Sequence, residues 1–233
     1  MFGTINEAAV WGIIGLPLLG GLVVIAGMRP WRASLWRLTG VVSIVAMAGA
    51  FVLSLWALDS VRGLHGDAVG FAPHAWFAVG GAAGFKMTVG VLLDPLAAIM
   101  SVVVTGVSLL VQIYSLGYIR KEADDEGGAH ADYPRYFAYM SLFSAAMLGL
   151  VLSINLVQTF LFWELVGLFS YLLIGFWFHR PAAAAAAKKA FIITRIGDFG
   201  FMLALMWLFS HRGEFLAQGL NPFEIPDINL AAP

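Results

Sequence analysis

The chain has 233 residues, 61% of them hydrophobic and only 12% charged, with a mean hydropathy of +0.86 and a net charge of −1. That composition excludes an ordinary soluble domain and supplies no basic surface for nucleic acid. With no cysteine present, disulfides, cysteine-ligated iron–sulfur clusters, thiol-attached haem and reactive thiols are excluded as well.

Ala8 to Gly27 is the first apolar run, and it lacks the basic start and small-residue cleavage site of a signal peptide. Arg29, Arg32 and Arg37 follow it, and by the positive-inside rule they hold the first loop in the cytoplasm and leave the N-terminus outside. Leu38 to Leu58 returns the chain outward. Residues 59–90 differ in kind, with mixed charge, His65, His74 and seven glycines: Gly63, Gly66, Gly70, Gly80, Gly81, Gly84 and Gly90. HAWFAV and FKMTVGV, separated by GGAAG, suit a β-hairpin at positions 74–91 on the outer surface, with a plain loop as the alternative.

Val91 to Tyr114 is the third run. Asp94 followed by Pro95 reads as a helix start, with a carboxylate near the positive pole of the helix dipole. RKEADDEGGAH suits a solvated cytoplasmic loop over 115–135. Tyr136 to Ser153 is the fourth run, joined to the fifth by almost no loop, so the two are expected to pack as an antiparallel pair.

The stretch Leu156 to Ser210 then brings ionisable groups into apolar runs. Glu164 lies eight residues into LVQTFLFWELVGLFSYLLIGFWF, ~12 Å deep, and Asp198 lies nine residues past Lys189, ~13 Å deep. HRPAAAAAAKK between them is read as a cytoplasmic loop. Charges at such depth cost ~2.5 to 3.5 kcal/mol each on insertion scales, so Glu164, Arg195 and Asp198 together oppose insertion by ~8 to 10 kcal/mol unless paired or neutralised. Arg195 and Asp198, three apart on one helix, can pair locally. Glu164 has no such partner in its own helix; it must be protonated, face water, or meet a cation from another helix. A proton relay needs that sensitivity, whereas a structural peg beside a structural clip is the plainer alternative.

Nine Lys and Arg in the loops 29–37, 115–135 and 179–189, against Arg62, Lys86 and Arg212 on the other side, support about six helices with both ends outside. HRGEFLAQGLNPFEIPDINLAAP reads as an outer-surface tail with one short interfacial helix. His65, His74, His130, His179 and His211 fall in loops or helix ends without an HExxH-like spacing, so no metal site is expected. Trp163 is the one deep tryptophan; the others suit aromatic belts. None of the expected helices carries GxxxG, and Gly167, one turn after Glu164, suits close approach of a neighbour or water.

FLFWELVGLFSYLLIGFWF followed by KKAFIITRIGDFGF resembles the antiporter-like subunits of respiratory complex I, specifically the N-terminal part of the subunit L family of NADH:quinone oxidoreductase, within the Mrp-type antiporter-like superfamily. LLDPLAAIMSVVVTGVSLLVQIYSLGYI is similar to the third helix of that family and PLLGGLVV to the first. The resemblance implies that Glu164 is the channel acid of the WE motif. It implies likewise that Asp198 and Arg195 belong to the TRxGD motif and that Lys189 is the lysine of the KAF step. It also implies a proton half-channel in which the glutamate exchanges charge with a lysine on a later, interrupted helix. Gln112 stands where many members carry histidine, which weighs against a proton path through the outer half of the third helix. Such subunits have about fourteen or more spans built on inverted repeats, so the expectation is an N-terminal piece that does not pump alone.

The resulting expectation is an all-α polytopic membrane protein with a partial antiporter-like fold and an external loop or β-hairpin between helices 2 and 3. Residues 1–114 form a three-helix region, 115–135 a cytoplasmic loop, 136–210 the start of the proton-translocation repeat and 211–233 an external tail. The implied function is a non-redox membrane subunit of NADH:quinone oxidoreductase. No cofactor is expected in this chain; flavin, iron–sulfur clusters and quinone belong to partner subunits. The expected neighbours are other complex I membrane subunits, especially antiporter-like ones, and the lipid bilayer, in a bacterial inner membrane. A large subunit of a cation/proton antiporter, membrane hydrogenase or bicarbonate-uptake complex is the transport alternative, and a membrane scaffold the non-transport one.

Overall fold

A computed structural model describes residues 6–27, 36–62, 69–71, 74–79, 85–125 and 132–231. Arg29, Arg32, His65, His130 and the GGAAG step lie outside these residues. The element order is α1 (Glu7–Gly27), α2 (Trp36–Arg62), β1 (Val69–Gly70), β2 (His74–Val79), β3 (Phe85–Val89), β4 (Leu92–Leu93), α3 (Pro95–Asp125), α4 (Asp132–Val151), α5 (Leu156–Ile174), α6 (Pro181–Ser210), α7 (Arg212–Ala217) and α8 (Ile225–Ala231). Among the described residues five helices are long and apolar enough to cross a membrane: α1, α2 from Leu38, α3 as far as Ile119, α5 and α6. The protein is therefore an integral membrane protein of the expected helical class. The fourth expected run is α4, a helix of 20 residues. It carries Arg135, tyrosines and serines and lies among α1, α2, α3 and α5, where neighbours rather than lipid meet those groups.

Small residues and hydroxyls hold α1–α4 together. A Cβ at Gly20 would sit 2.8 Å from Ala46 Cβ, so α1 and α2 approach closely there. Apolar packing dominates near the hairpin, where Val10, Ile13, Ala57, Val91, Leu93, Ala98, Leu148 and Leu152 are buried together. At the opposite end Ile119, Tyr133 and Phe137 form a second cluster. Between the two runs a buried polar seam of α3 residues spaced three and four apart: Ser101, Thr105, Ser108, Gln112 and Ser115. Thr105 meets Ser54 at 2.9 Å, Ser144 donates to Ser108 at 3.0 Å, and Ser115 meets Tyr136 at 2.8 Å. Ser43 donates to Gln112 at 3.1 Å and also meets Ser141. Most of the neutral groups of this seam are satisfied by one another in this way, while Ser101 Oγ and Gln112 Nε2 are buried with no hydrogen-bond partner among the described residues.

The expected hairpin forms. Strands β2 and β3 pair antiparallel from His74↔Val89 to Val79↔Phe85, with an irregularity between Ala75 and Phe77, and β1 pairs with β4. Asp94 caps α3, its Oδ1 accepting from Ala97 N.

Two expected loops are corrected. Helix α3 continues to Asp125, through all of RKEADD, because Lys, Glu and Ala favour helix and nothing in that segment breaks it. Helix α6 begins at Pro181, so the alanine run through Lys189 is its first turns and not a loop. Proline at the first helical position and six alanines after it favour that continuation. The helix has 30 residues, ~45 Å, longer than a bilayer core of ~30 Å.

The tail holds two short helices in place of the one expected, and it folds back onto the α4–α5 turn. Phe223 O accepts from Leu156 N at 2.9 Å, and Ile154 O accepts from Ile225 N at 3.0 Å. Thr88 donates to Glu224 at 3.1 Å. Hairpin, turn and tail therefore share one end of the bundle, as an alternating six-helix topology requires.

Candidate functional site

Helix α5 is positioned by its first turn. Asn155 accepts from Gln158 N at 2.8 Å and donates through Nδ2 to Thr88 O at 2.8 Å, so the cap also fixes the helix to the strand beside it. Gln158 donates to Gly90 O at 2.9 Å and accepts from Gly90 N at 3.2 Å. Farther along, Gly149 admits Phe162: a Cβ there would lie 2.4 Å from the ring, so α4 and α5 are in close contact.

Glu164 lies two turns below that cap, and Arg195 sits at the middle of α6. Their side chains form an ion pair across the α5–α6 interface. Arg195 is also 3.4 Å from Asp198 Oδ2, and Trp163 Nε1 donates to Asp198 Oδ1 at 2.8 Å. One guanidinium thus serves two carboxylates, and an indole from α5 holds the second of them. Asp198 is buried at 8% exposure, while the side chains of Arg195 and Glu164 are 33% and 25% exposed. The Arg195 guanidinium stacks 4.6 Å from the Phe191 ring centre.

The site faces a groove of about 450 Å³ whose lining includes Trp163, Gly167, Ser170, Thr194, Gly197 and Asp198. A Cβ at Gly167 or Gly197 would meet nothing within 4 Å, so these glycines leave room beside the charges. The groove has space and polar groups for water, a requirement of proton movement through an apolar layer.

The structure thus brings Glu164, Arg195 and Asp198 together and leaves Lys189 apart. Lys189 is exposed on α6, six residues or ~9 Å toward the opposite end. Of the three options open to Glu164, the one realised is a cation from another helix, and that cation is the same arginine expected to pair with Asp198. Sequence reasoning missed Trp163 as a donor, the roles of Asn155 and Gln158, and the α3 seam. The signals were present: Asn155 stands before an apolar run as a cap does, and the α3 hydroxyls repeat every three or four residues.

Among the described residues no group of three or more His, Asp and Glu could hold a metal ion. Residues 153–225 match the family NADH:quinone oxidoreductase/Mrp antiporter, TM. Residues 76–137 match NADH-Ubiquinone oxidoreductase (complex I), chain 5 N-terminus. NAD(P)H-quinone oxidoreductase subunit 5 of the Nephroselmis olivacea chloroplast is 46% identical over 91% of this chain and 31% of its own length. NAD(P)H-quinone oxidoreductase chain 5 of Synechocystis sp. is 43% identical over 88% of this chain and 29% of its own. The chain therefore spans about a third of the length of these relatives. Among solved structures, a chain of the Mrp complex from Dietzia sp. DQ12-45-1b aligns with a TM-score of 0.61 at 24% identity, covering 86% of this chain and 20% of that one. A chain of the archaeal membrane-bound sulfane sulfur reductase aligns with a TM-score of 0.66 at 16% identity, covering 89% and 38%. These two likenesses concern the fold.

Proposed function

For a chain homologous to the N-terminal third of the subunit 5 chains of NAD(P)H-quinone oxidoreductases, we propose the role of a proton-translocating membrane subunit whose relay starts at Glu164. The observation that carries this reading is the sharing of Arg195 between Glu164 on α5 and Asp198 on its own helix. While Arg195 faces Glu164, the glutamate stays ionised without a full desolvation cost. When Arg195 turns to Asp198, Glu164 loses its counter-charge in an apolar surround and takes up a proton, which the groove beside Trp163 can deliver through water. Return of Arg195 expels that proton. Trp163 keeps Asp198 on the α5 side, within reach of the exchange. Lys189, farther along α6, supplies the next positive station toward the opposite end. The energy would come from quinone reduction in partner subunits that hold flavin and iron–sulfur clusters, and neighbouring antiporter-like subunits would be its membrane partners.

The test is Glu164→Gln in the full-length subunit within its complex. The expected result is a clear fall in protons moved per electron, with the redox subunits assembled and active. An unchanged ratio would sink the proposal.

The orientation we favour puts the N-terminus, hairpin and tail outside, in a bacterial inner membrane or an equivalent photosynthetic membrane. These 233 residues contain no cysteine, so introduced ones within them can be used to check this. In sealed vesicles of known polarity, an impermeant maleimide should label Gln218→Cys and Lys121→Cys from opposite faces; labelling from the same face would overturn the topology.

A cation/proton antiporter subunit is the second reading, supported by the family matched over residues 153–225, whose description names both kinds of complex. Copurifying redox subunits would favour the first reading, and their replacement by small antiporter subunits the second.

A further inference from the structure

A second groove, of about 360 Å³, lies at the end of the bundle opposite the hairpin, between α4, α5 and α6. Its lining includes Arg135, Tyr139, Tyr171, Phe176, Phe178 and Lys188, with no carboxylate among the described lining residues. The two cations come from different helices and meet at one concavity. Arg135 is fixed there: its Nη2 donates to Phe176 O at 3.1 Å, and its guanidinium lies 4.8 Å from the Phe176 ring centre and 5.3 Å from that of Phe178. Arg180 and Lys189 are exposed nearby on α6 and its cap, adding to the positive field of this end.

Depth narrows the occupant. Tyr139 is seven residues, ~10 Å, from the start of α4, and Lys188 is as far from the start of α6. That is one to two turns inside the helix ends, the level of lipid headgroups, where tyrosine rings and long basic side chains settle. The apolar surface continues along exposed Leu168 on α5 and Ile192 on α6, in the direction acyl chains run.

We propose that this groove binds the phosphate headgroup of an anionic phospholipid, its phosphate between Arg135 and Lys188 and its acyl chains along α5 and α6. Basic pockets between membrane helices on the positively charged side are suited to such headgroups. The inference is independent of the proton relay, since none of its lining residues belongs to the Glu164 site.

The test uses the full-length subunit in its complex, reconstituted into nanodiscs of phosphatidylcholine with a minor fraction of phosphatidylglycerol, and counts lipid retained on release by native mass spectrometry. Enrichment of phosphatidylglycerol is expected, reduced about fivefold by Lys188→Gln and again by Arg135→Gln, each removing one charge contact. Lys188→Arg should retain the enrichment and show that the fold is intact, and Arg212→Gln at the hairpin end should leave it unchanged. No preference for the anionic lipid in the wild type, or an equal loss in Lys188→Arg, would overturn the proposal. So would competition by inorganic phosphate alone, which would make this a soluble-anion site. A photo-crosslinker at Tyr139 that captures polypeptide instead of lipid would also refute it.

Discussion

The α1–α4 bundle and the α5–α6 arm solve the same problem in opposite ways. Both must place polar groups in an apolar layer. The bundle uses neutral hydroxyls and one amide, buried on the α3 seam and for the most part paired with their neighbours. The arm uses full charges, packed between two helices, of which α6 carries exposed Ile192, Ile193, Ile196 and Phe199 on its outer face. A neutral pair has nothing to exchange and holds helices in register. A charge with two possible partners can be moved, and it is placed where α6 has α5 as its principal neighbour.

The largest expected effect in breaking this contrast comes from Arg195→Met, which strands Glu164 and Asp198 without their cation. We expect a loss of about 3 kcal/mol in unfolding measurements in mild detergent micelles, the insertion-scale cost of one unpaired charge at mid-helix, and substantial recovery in Arg195→Met/Glu164→Gln. Gly149→Val should cost about 1–3 kcal/mol, because the added side chain collides with Phe162 and must push α5 from α4. Asp94→Ala should cost about 1 kcal/mol through loss of the α3 cap, read in the same assay. Smallest of all, Gln112→Leu should cost about 0.6 kcal/mol, the average for interhelical hydrogen bonds in membranes, with transport unchanged. A seam substitution that abolished transport would erase the distinction between the two regions.

Much of this arrangement could be read from the residues. Apolar runs with arginines at one set of ends marked the helices, and the strand-like runs HAWFAV and FKMTVGV separated by GGAAG marked the hairpin. Glu164, Arg195 and Asp198 stood out because charges are costly in such runs. The choice of partner for Glu164 could not be read, since it depends on the rotation of α6 about its axis relative to α5, which no periodicity within either helix encodes. The start of α6 was misplaced for a local reason: HRPAAAAAAKK combines a turn-like proline with basic residues typical of a loop, and its helix-forming alanines outweigh both. The tail was misjudged for a non-local one. Its backbone partners Ile154 and Leu156 lie about 70 residues earlier, and no local pattern announces them.

Synthesis gives the fastening at the hairpin end a timetable. Gln158 can engage Gly90 as soon as the start of α5 emerges, but Glu224 reaches Thr88 only after 66 further residues, roughly 3–13 s at ordinary elongation rates of about 5–20 residues per second. During that interval α6 must insert with its charges before the end that anchors α5 is fully closed. The last strap to fasten therefore reports that α6 has crossed and returned the chain to the hairpin face, and a stalled or misinserted α6 leaves that end unfastened.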